Sequence, residues 1–134
     1  MSQPYYLYVE DDRLSRMVMD MFLGNMMGLS SYTIFEDSTD FMVRLKALPV
    51  RPDIILLDIH VRPLNGFEML KSIRSDPDFT DCRIVALTAS VMNEEVKQLR
   101  EAGFDGTIGK PLDATSFPGL LNKIQRGEAV WQIT

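Results

Sequence analysis

The sequence predicts an α/β protein, a parallel five-stranded sheet with helices on both faces. Short apolar runs alternate with helix-length amphipathic stretches along the whole chain, which is typical of strand–helix units that build a parallel sheet. Two of the runs, Ile54–Leu57 and Ile84–Leu87, are continuously apolar. Such runs are expected of central strands that are buried on both faces. The class therefore follows from the alternation and from these two runs.

The first unit begins with a predicted strand at Tyr5–Val9, followed by a helix that Gly28 ends. The second pairs a strand at Tyr32–Phe35 with a helix that Asp37 or Ser38 caps. The apolar residues at helical spacing that we expect to face the core are Leu14, Met17, Val18, Met21 and Phe22 in the first helix, and Phe41, Leu45 and Leu48 in the second, which Pro49 ends.

The third strand, Ile54–Leu57, precedes a helix predicted from about Phe67 to Arg74. The fourth, Ile84–Leu87, precedes a helix that Asn93 caps and Gly103 ends. The apolar residues of that fourth helix that we expect to face inward are Met92, Val96 and Leu99.

The fifth strand is short, at Thr107–Ile108, and a last helix follows with Asp113 as its cap and Gly127 as its end. Its inward residues are expected to be Phe117, Leu120, Leu121 and Ile124. Beyond it, Trp131 is expected to lie in a loose tail that spans residues 127–134. The 134 residues thus form one predicted domain, with a core from about residue 5 to 125.

Charge and composition argue against several classes of function. The net charge is −5 without any basic run, which argues against direct binding to nucleic acid or to an anionic membrane. No apolar stretch approaches the roughly 20 residues of a membrane span, and no basic, apolar leader suggests export. The one cysteine, Cys82, cannot form an internal disulfide. We therefore expect a cytoplasmic protein whose partners are proteins.

Polar side chains follow four of the predicted strands. Because the carboxyl ends of parallel strands meet at one edge of a sheet, these side chains are expected to converge there. Clustered carboxylates repel one another unless a cation neutralises them, and Mg²⁺ prefers oxygen ligands of this kind. The residues concerned are Glu10, Asp11, Asp12, Asp58, Thr88 and Lys110. A plain helix cap remains an equal reading for Asp12.

Five segments make the sequence resemble the receiver domain of bacterial response regulators, from Tyr5 to about Gln125. The resemblance implies a flavodoxin-like strand order of 2-1-3-4-5. The segments are Val9-Glu10-Asp11-Asp12, Leu56-Leu57-Asp58-Ile59, Asn65-Gly66-Phe67-Glu68, Ala86-Leu87-Thr88-Ala89-Ser90 and Gly109-Lys110-Pro111-Leu112.

The resemblance implies that Asp58 accepts a phosphoryl group and that Glu10 and Asp11 serve a Mg²⁺ ion. His60 matches the position whose backbone carbonyl completes the metal site, while its imidazole is expected to be exposed and uninvolved.

For the phosphoryl group itself, Thr88 matches a hydroxyl that hydrogen-bonds it, and Lys110 matches an ammonium that pairs with its oxygens. The resemblance also suggests a cis peptide before Pro111.

The implied function is signal transduction in a two-component system or phosphorelay. A sensor histidine kinase or a histidine phosphotransfer protein would donate the phosphoryl group, and the domain would promote the transfer and the later dephosphorylation without being an enzyme in the ordinary sense. Phosphorylation would then switch binding to a protein target. The sequence leaves open the kinase, the target, homodimer formation and whether the chain is part of a larger regulator.

Two positions depart from the family pattern. The proline expected four residues after the acceptor appears one place late, at Pro63, with Arg62 in the usual place. Three positions before Lys110, where the family usually has an aromatic residue, this chain has Thr107. Either Thr107 changes how the signal is transmitted or a neighbour such as Phe104 takes over part of that role.

Three other classes of protein share part of this pattern. A flavodoxin-like nucleotide binder needs a Ser-, Thr- and Gly-rich loop after its first strand, where this chain has three acids. A haloacid-dehalogenase-type phosphatase needs an acid at the position of His60. The main alternative is an interaction module that keeps the receiver fold and signals without phosphorylation.

Overall fold

The computed structural model describes residues 4–90 and 92–131, which form a parallel sheet with helices on both faces. The strand order is β2-β1-β3-β4-β5-β6, so the predicted order 2-1-3-4-5 is confirmed and a sixth strand extends it. The strands are β1 (Tyr6–Val9), β2 (Tyr32–Phe35), β3 (Ile54–Asp58), β4 (Arg83–Thr88), β5 (Gly106–Gly109) and β6 (Val130–Trp131).

Helices connect the strands and cover the sheet. The helices are α1 (Arg13–Asp20), which continues as a π-helical segment at Met21–Met26, α2 (Phe41–Lys46), α3 (Gly66–Arg74), α4 (Asn93–Ala102) and α5 (Phe117–Gln125), with a 3₁₀ turn at Pro77–Phe79. On one face of the sheet, buried residues of α2, α3 and α4 form one apolar cluster; on the other, residues of α1 and α5 form a second. The central strand β3 is buried along its whole length, as its continuous apolar run predicts.

The apolar stripe predicted for the first helix is displaced by one residue. Leu14, Met17 and Met21 were expected inside but are 67%, 55% and 55% exposed, whereas Met19 and Leu23 are fully buried. The helix is therefore rotated relative to the prediction, and the π-helical turn after Asp20 changes the spacing of its last buried residues. The structure leaves an apolar stripe of three large side chains on the outer surface of α1.

Three helix starts also differ from the predictions. The observed N-cap residues are Asp40 for α2, Met92 for α4 and Ser116 for α5, instead of Asp37 or Ser38, Asn93 and Asp113. Ser38 does not cap α2; it is fully buried, and its hydroxyl donates to the carbonyl of Leu64 and accepts from the Leu64 amide, each at 2.6 Å. Met92 precedes α4 as its N-cap and is 71% exposed, so it does not face the core. A cap position lies outside the helix, where the inward-facing periodicity no longer applies.

The end of the chain is ordered further than the sequence predicts. Gly127 ends α5 as expected, with a positive φ of 89°. Trp131 is not in a loose tail, because Val130 and Trp131 pair with Gly106 and Thr107 of β5 as the parallel strand β6. The rest of the predicted tail, residues 132–134, lies outside the described residues.

The strand β6 is held on both of its faces. Val130 is buried in the cluster under α1 and α5, while Trp131 packs against the cluster under α2, α3 and α4. The guanidinium of Arg100 lies 4.7 Å above the Trp131 ring, so α4 also contacts this strand. The pairing needs a glycine at 106, because a Cβ there would lie 2.5 Å from the Val130 carbonyl oxygen. Within the described residues, every helix is too short or too polar to cross a membrane.

Candidate functional site

The carboxyl ends of four strands bring the predicted residues to one edge of the sheet. Glu10 and Asp11 directly follow β1, and Asp58 is the last residue of β3. Thr88 ends β4, and Lys110 directly follows β5. These strands are neighbours, and their registers pair Val9 with Leu57, Asp58 with Leu87, and Thr88 with Gly109.

The three carboxylates form a cluster. Oxygen atoms of Glu10, Asp11 and Asp58 lie within 4.8 Å of one another. Glu10 and Asp58 are only 1% and 5% exposed, whereas Asp11 is exposed. Burial, and then the charge of Glu10, raise the pKa of Asp58 to about 6, although Lys110 acts in the opposite direction. A site of this kind disfavours its own negative charge and therefore favours a bound cation.

Lys110 places a positively charged side chain beside the carboxylate cluster. Its Nζ lies 2.7 Å from Oε1 of Glu10 and 3.4 Å from Oδ1 of Asp58. Burial acts to lower the pKa of Lys110, but the hydrogen bond that it donates to Glu10 and the charge of Asp58 outweigh burial, and the pKa is raised. The cis peptide expected before Pro111 is present, and the Lys110 amide donates to the Thr88 carbonyl at 2.9 Å.

Sequence reasoning missed Tyr8. Its side chain is buried, and its hydroxyl donates to Oε1 of Glu10 at 2.7 Å. Burial first, and then the hydrogen bond to Glu10, raise the pKa of Tyr8, so the hydroxyl stays protonated. The signal for this contact was present, because residues two apart on a strand point to the same face. A tyrosine two residues before Glu10 can therefore reach that carboxylate.

Thr88 and His60 flank the cluster in different ways. The buried Thr88 hydroxyl accepts a hydrogen bond from the Ser90 amide at 3.1 Å, which directs it into the loop after β4. The His60 side chain is exposed, as expected, and borders an open groove of about 910 Å³ beside Pro63 and Glu68.

The loop between β3 and α3 is fixed by several backbone contacts. The Arg62–Pro63 peptide is cis. Asn65 caps α3, accepting from the Glu68 amide at 2.9 Å while Glu68 accepts from the Asn65 amide at 3.0 Å. A Cβ at Gly66 would lie 3.0 Å from the Cα of Ile59, so the helix start approaches the end of β3 closely. These contacts fix the loop that follows Asp58.

Thr107, which stands where the family usually has an aromatic residue, is fixed within the sheet. Thr107 is fully buried, and its hydroxyl donates to the Ala86 carbonyl at 3.2 Å. Phe104 packs edge-on against Phe67 of α3, with ring centroids 5.9 Å apart. The aromatic residue in register with Thr107 is Trp131 of β6, which shares its face of the sheet. An aromatic ring is therefore present beside this position, but it comes from the next strand.

The donor atoms of the cluster fit a hard divalent cation. All three side chains offer carboxylate oxygens, which Mg²⁺ prefers, and a charge of +2 would offset the repulsion among them. No cysteine or imidazole nitrogen belongs to the cluster, which makes a softer transition metal a poorer match.

Comparisons with known proteins agree with this geometry. A family profile described as "Response regulator receiver domain" matches residues 6–122. The "Nitrate/nitrite response regulator protein homolog" of Haemophilus influenzae is 32% identical over 84 residues, which cover 63% of this chain and 39% of that protein. "Response regulator protein VraR" of Staphylococcus aureus is 25% identical over 126 residues, which cover 94% of this chain and 58% of that protein.

Among solved structures, the "Chemotaxis response regulator CheY4 of Vibrio cholerae" superposes with a TM-score of 0.77 at 22% identity, covering 93% of this chain and 98% of that one. This likeness shows the shared fold. The chain spans about half the length of the curated relatives it matches. Since the profile extends over most of the chain, from β1 into α5, the protein belongs to the response regulator receiver domain family.

Proposed function

We propose that this receiver domain accepts a phosphoryl group on Asp58 with the help of Mg²⁺, and that the modification switches its binding to a protein target. The observation that carries the proposal is the placement of the Asp58 carboxylate between two other carboxylates and one lysine. A folded-state pKa of about 6 leaves Asp58 mostly ionised at neutral pH, as a nucleophile must be.

The proposed transfer starts from a phosphohistidine. An Asp58 oxygen attacks the phosphorus, the bond to the imidazole nitrogen of the donor breaks, and that nitrogen keeps the electron pair. Bound Mg²⁺ would neutralise the charge of the cluster and of the phosphoryl oxygens, held by Glu10, Asp11, Asp58 and the backbone carbonyl of His60. Lys110, already 3.4 Å from Asp58, would pair with a phosphoryl oxygen.

Thr88 is proposed to donate its hydroxyl to the phosphoryl group. In the unphosphorylated chain that hydroxyl accepts from the Ser90 amide, and its contact with the Ser90 carbonyl is long, at 3.4 Å. The hydroxyl proton is therefore weakly held, and it is free to turn toward a new acceptor on Asp58. Such a turn would pull on the loop that leads into α4.

The proposed phosphoryl transfer to Asp58 also implies the partners of this domain. The donor would be a sensor histidine kinase or a histidine phosphotransfer protein in the cytoplasm, and water would later hydrolyse the acyl phosphate. We propose that residues 1–134 form one receiver domain whose packed part reaches beyond residue 125, because β6 joins the sheet. Its action would then consist of docking to another protein, as a monomer or as a homodimer.

The experiment is intact-protein mass spectrometry after incubation with a small-molecule phosphodonor, with and without Mg²⁺. We expect the native chain to gain a single Mg²⁺-dependent phosphoryl adduct that base removes, and Asp58→Asn to gain none. Asp53→Asn is a matched control, since Asp53 lies at the other end of β3, where its carboxylate accepts from the Tyr5 amide at 2.7 Å. A native chain without any adduct at saturating Mg²⁺ would contradict the proposal and favour an interaction module that works unphosphorylated.

A further inference from the structure

The Tyr8 hydroxyl is a buried polar group that the proposed phosphoryl transfer does not use. Tyr8 lies in the middle of the sheet, in register with Ile34 of β2 and Leu56 of β3. Its side chain is 1% exposed, and its hydroxyl donates to Oε1 of Glu10 at 2.7 Å. The donor is therefore held by a central strand, so its position depends little on the loops around the site.

The two oxygens of Glu10 have different surroundings. Oε1 accepts from the Tyr8 hydroxyl and from Nζ of Lys110, each at 2.7 Å. Among the described residues, Oε2 accepts only a long hydrogen bond from the Asp12 amide, at 3.3 Å. Because a carboxylate oxygen offers about two lone-pair positions, Oε1 is filled and Oε2 keeps room for a cation. The two donors on Oε1 thus decide which oxygen of Glu10 can act as a ligand.

The two donors differ in what else they can bind. Lys110 also contacts Asp58, and under the proposed function it pairs with the phosphoryl oxygens, which weakens its hold on Glu10. The hydroxyl of Tyr8 is enclosed by the core on the α1 and α5 face and points at Glu10. It can therefore keep Oε1 occupied when Lys110 turns toward the phosphoryl group.

We propose that Tyr8 is a positioning residue of the cation site, which orients Glu10 so that Oε2 faces the metal before and after phosphorylation. The proposal rests on the proposed function for the presence of Mg²⁺. Hydrogen-bond donors behind metal-binding carboxylates commonly affect metal affinity about 10- to 100-fold. Tyr8 would hold this role through a single neutral hydrogen bond.

The chain provides a matched pair of variants. Tyr6 lies two residues before Tyr8 on the same strand and face, is fully buried, and its hydroxyl accepts a hydrogen bond from the Gln125 amide nitrogen, far from Glu10. Tyr8→Phe and Tyr6→Phe each remove one buried hydroxyl and keep the ring. Both variants share any general loss of stability, and only Tyr8→Phe changes the contact with Glu10.

The measurement is a Mg²⁺ titration of each unphosphorylated chain, in which the amide chemical shifts of the segments around Asp11 and Asp58 report binding. We expect Tyr8→Phe to raise the Kd for Mg²⁺ about tenfold, and Tyr6→Phe to leave it within about twofold of the native value. In a phosphorylation assay, Tyr8→Phe should need more Mg²⁺ to reach half of its maximal rate, while the rate at saturating Mg²⁺ stays near native.

A second pair of variants closes a double-mutant cycle. Glu10→Asp keeps the charge but draws the carboxylate back by one methylene, out of reach of Tyr8. Adding Tyr8→Phe to Glu10→Asp should therefore change the Kd for Mg²⁺ less than about twofold. Equal Kd values for the Tyr8 and Tyr6 variants, or full additivity in the cycle, would overturn the role of Tyr8 and leave the proposed function intact. A native chain that binds no Mg²⁺ would overturn both.

Discussion

The two ends of the sheet neutralise their carboxylates to different extents. At the amino end, Asp105 before β5 accepts from the Arg74 guanidinium at 2.7 Å and from the Ile84 amide at 2.8 Å. At the carboxyl end, Glu10 and Asp58 share one ammonium, that of Lys110, and the exposed Asp11 adds a third carboxylate. Asp105 is thus neutralised by an arginine of its own, whereas the carboxylates at the carboxyl end share one cation and keep an excess of negative charge.

This difference indicates that the carboxyl end of the sheet is suited to a cationic ligand. Unpaired buried charge lowers stability, so a folded chain tolerates it where a bound cation or another group supplies the missing charge. At Asp105, a bound cation would add nothing that Arg74 does not already provide. The comparison can be tested by removing charge, changing pH and disturbing packing at each end.

The largest effect is expected when each end loses its cation. Lys110→Met leaves two buried carboxylates without a cationic partner and should lower the free energy of unfolding by about 3 kcal/mol in a chelator. Arg74→Met frees Asp105, whose side chain is 30% exposed, and should cost about 1 kcal/mol. Urea unfolding of both variants with chelator and with Mg²⁺ measures this difference.

Added Mg²⁺ should restore much of the stability of Lys110→Met and none of that lost in Arg74→Met. If the two variants lost equal stability, or if Mg²⁺ rescued both, the contrast between the two ends would be wrong.

The next effect concerns pH. The folded-state pKa of Asp58, about 6, lies above its ordinary value of 3.8, so the folded chain holds this proton more tightly than the unfolded chain does. The resulting stabilisation is complete below about pH 4 and is lost as the pH rises through 6. In a chelator, the stability advantage of Asp58→Asn over the native chain should therefore grow by on the order of 2 kcal/mol between pH 4 and 7. A constant or shrinking gap across denaturant unfolding curves in this range would show that Asp58 is not destabilised by its surroundings.

The smallest effect comes from packing at the start of β5. Gly106→Ala places a Cβ against the Val130 backbone and should cost about 1 to 2 kcal/mol by displacing β6. Trp131 is the only tryptophan, so its emission should shift to longer wavelength as the ring becomes exposed. Gly119→Ala is the matched control, because a Cβ there meets nothing within 4 Å and a helical alanine should stabilise by about 0.5 to 1 kcal/mol. Neither substitution should change the response to Mg²⁺, and a change in Gly106→Ala would link β6 to the cation site.

The positions of the candidate site residues could be predicted because they depend only on where strands end. Asp58 ends β3 and Lys110 directly follows β5, and in a parallel sheet such residues meet at one edge whatever their side-chain conformations. The contact of Tyr8 was missed because it depends on the alternation of side chains within β1. That alternation is hidden in a strand where every residue is apolar or aromatic.

The fold was predicted well where the pattern of apolar residues extends over a long segment. It was predicted poorly where that pattern is short or ambiguous. In the first helix, apolar side chains lie outside the buried face as well as on it, since Leu14 and Met17 are exposed and Met19 is buried, and so periodicity placed the buried face one residue off. The strand β6 has two residues, too few for any alternation to appear. Its place is decided by the β5 edge beside Gly106 and by the ring contact between Trp131 and Arg100.

The strand β6 also matters for how this protein is handled. An uncovered sheet edge exposes unpaired backbone amides and carbonyls, which readily recruit a strand from another molecule. A shortened chain that ended at Gln125, where the family pattern fades, would expose the β5 backbone at Gly106 and Thr107. Self-association measured on such a shortened chain would report on the new edge rather than on signalling.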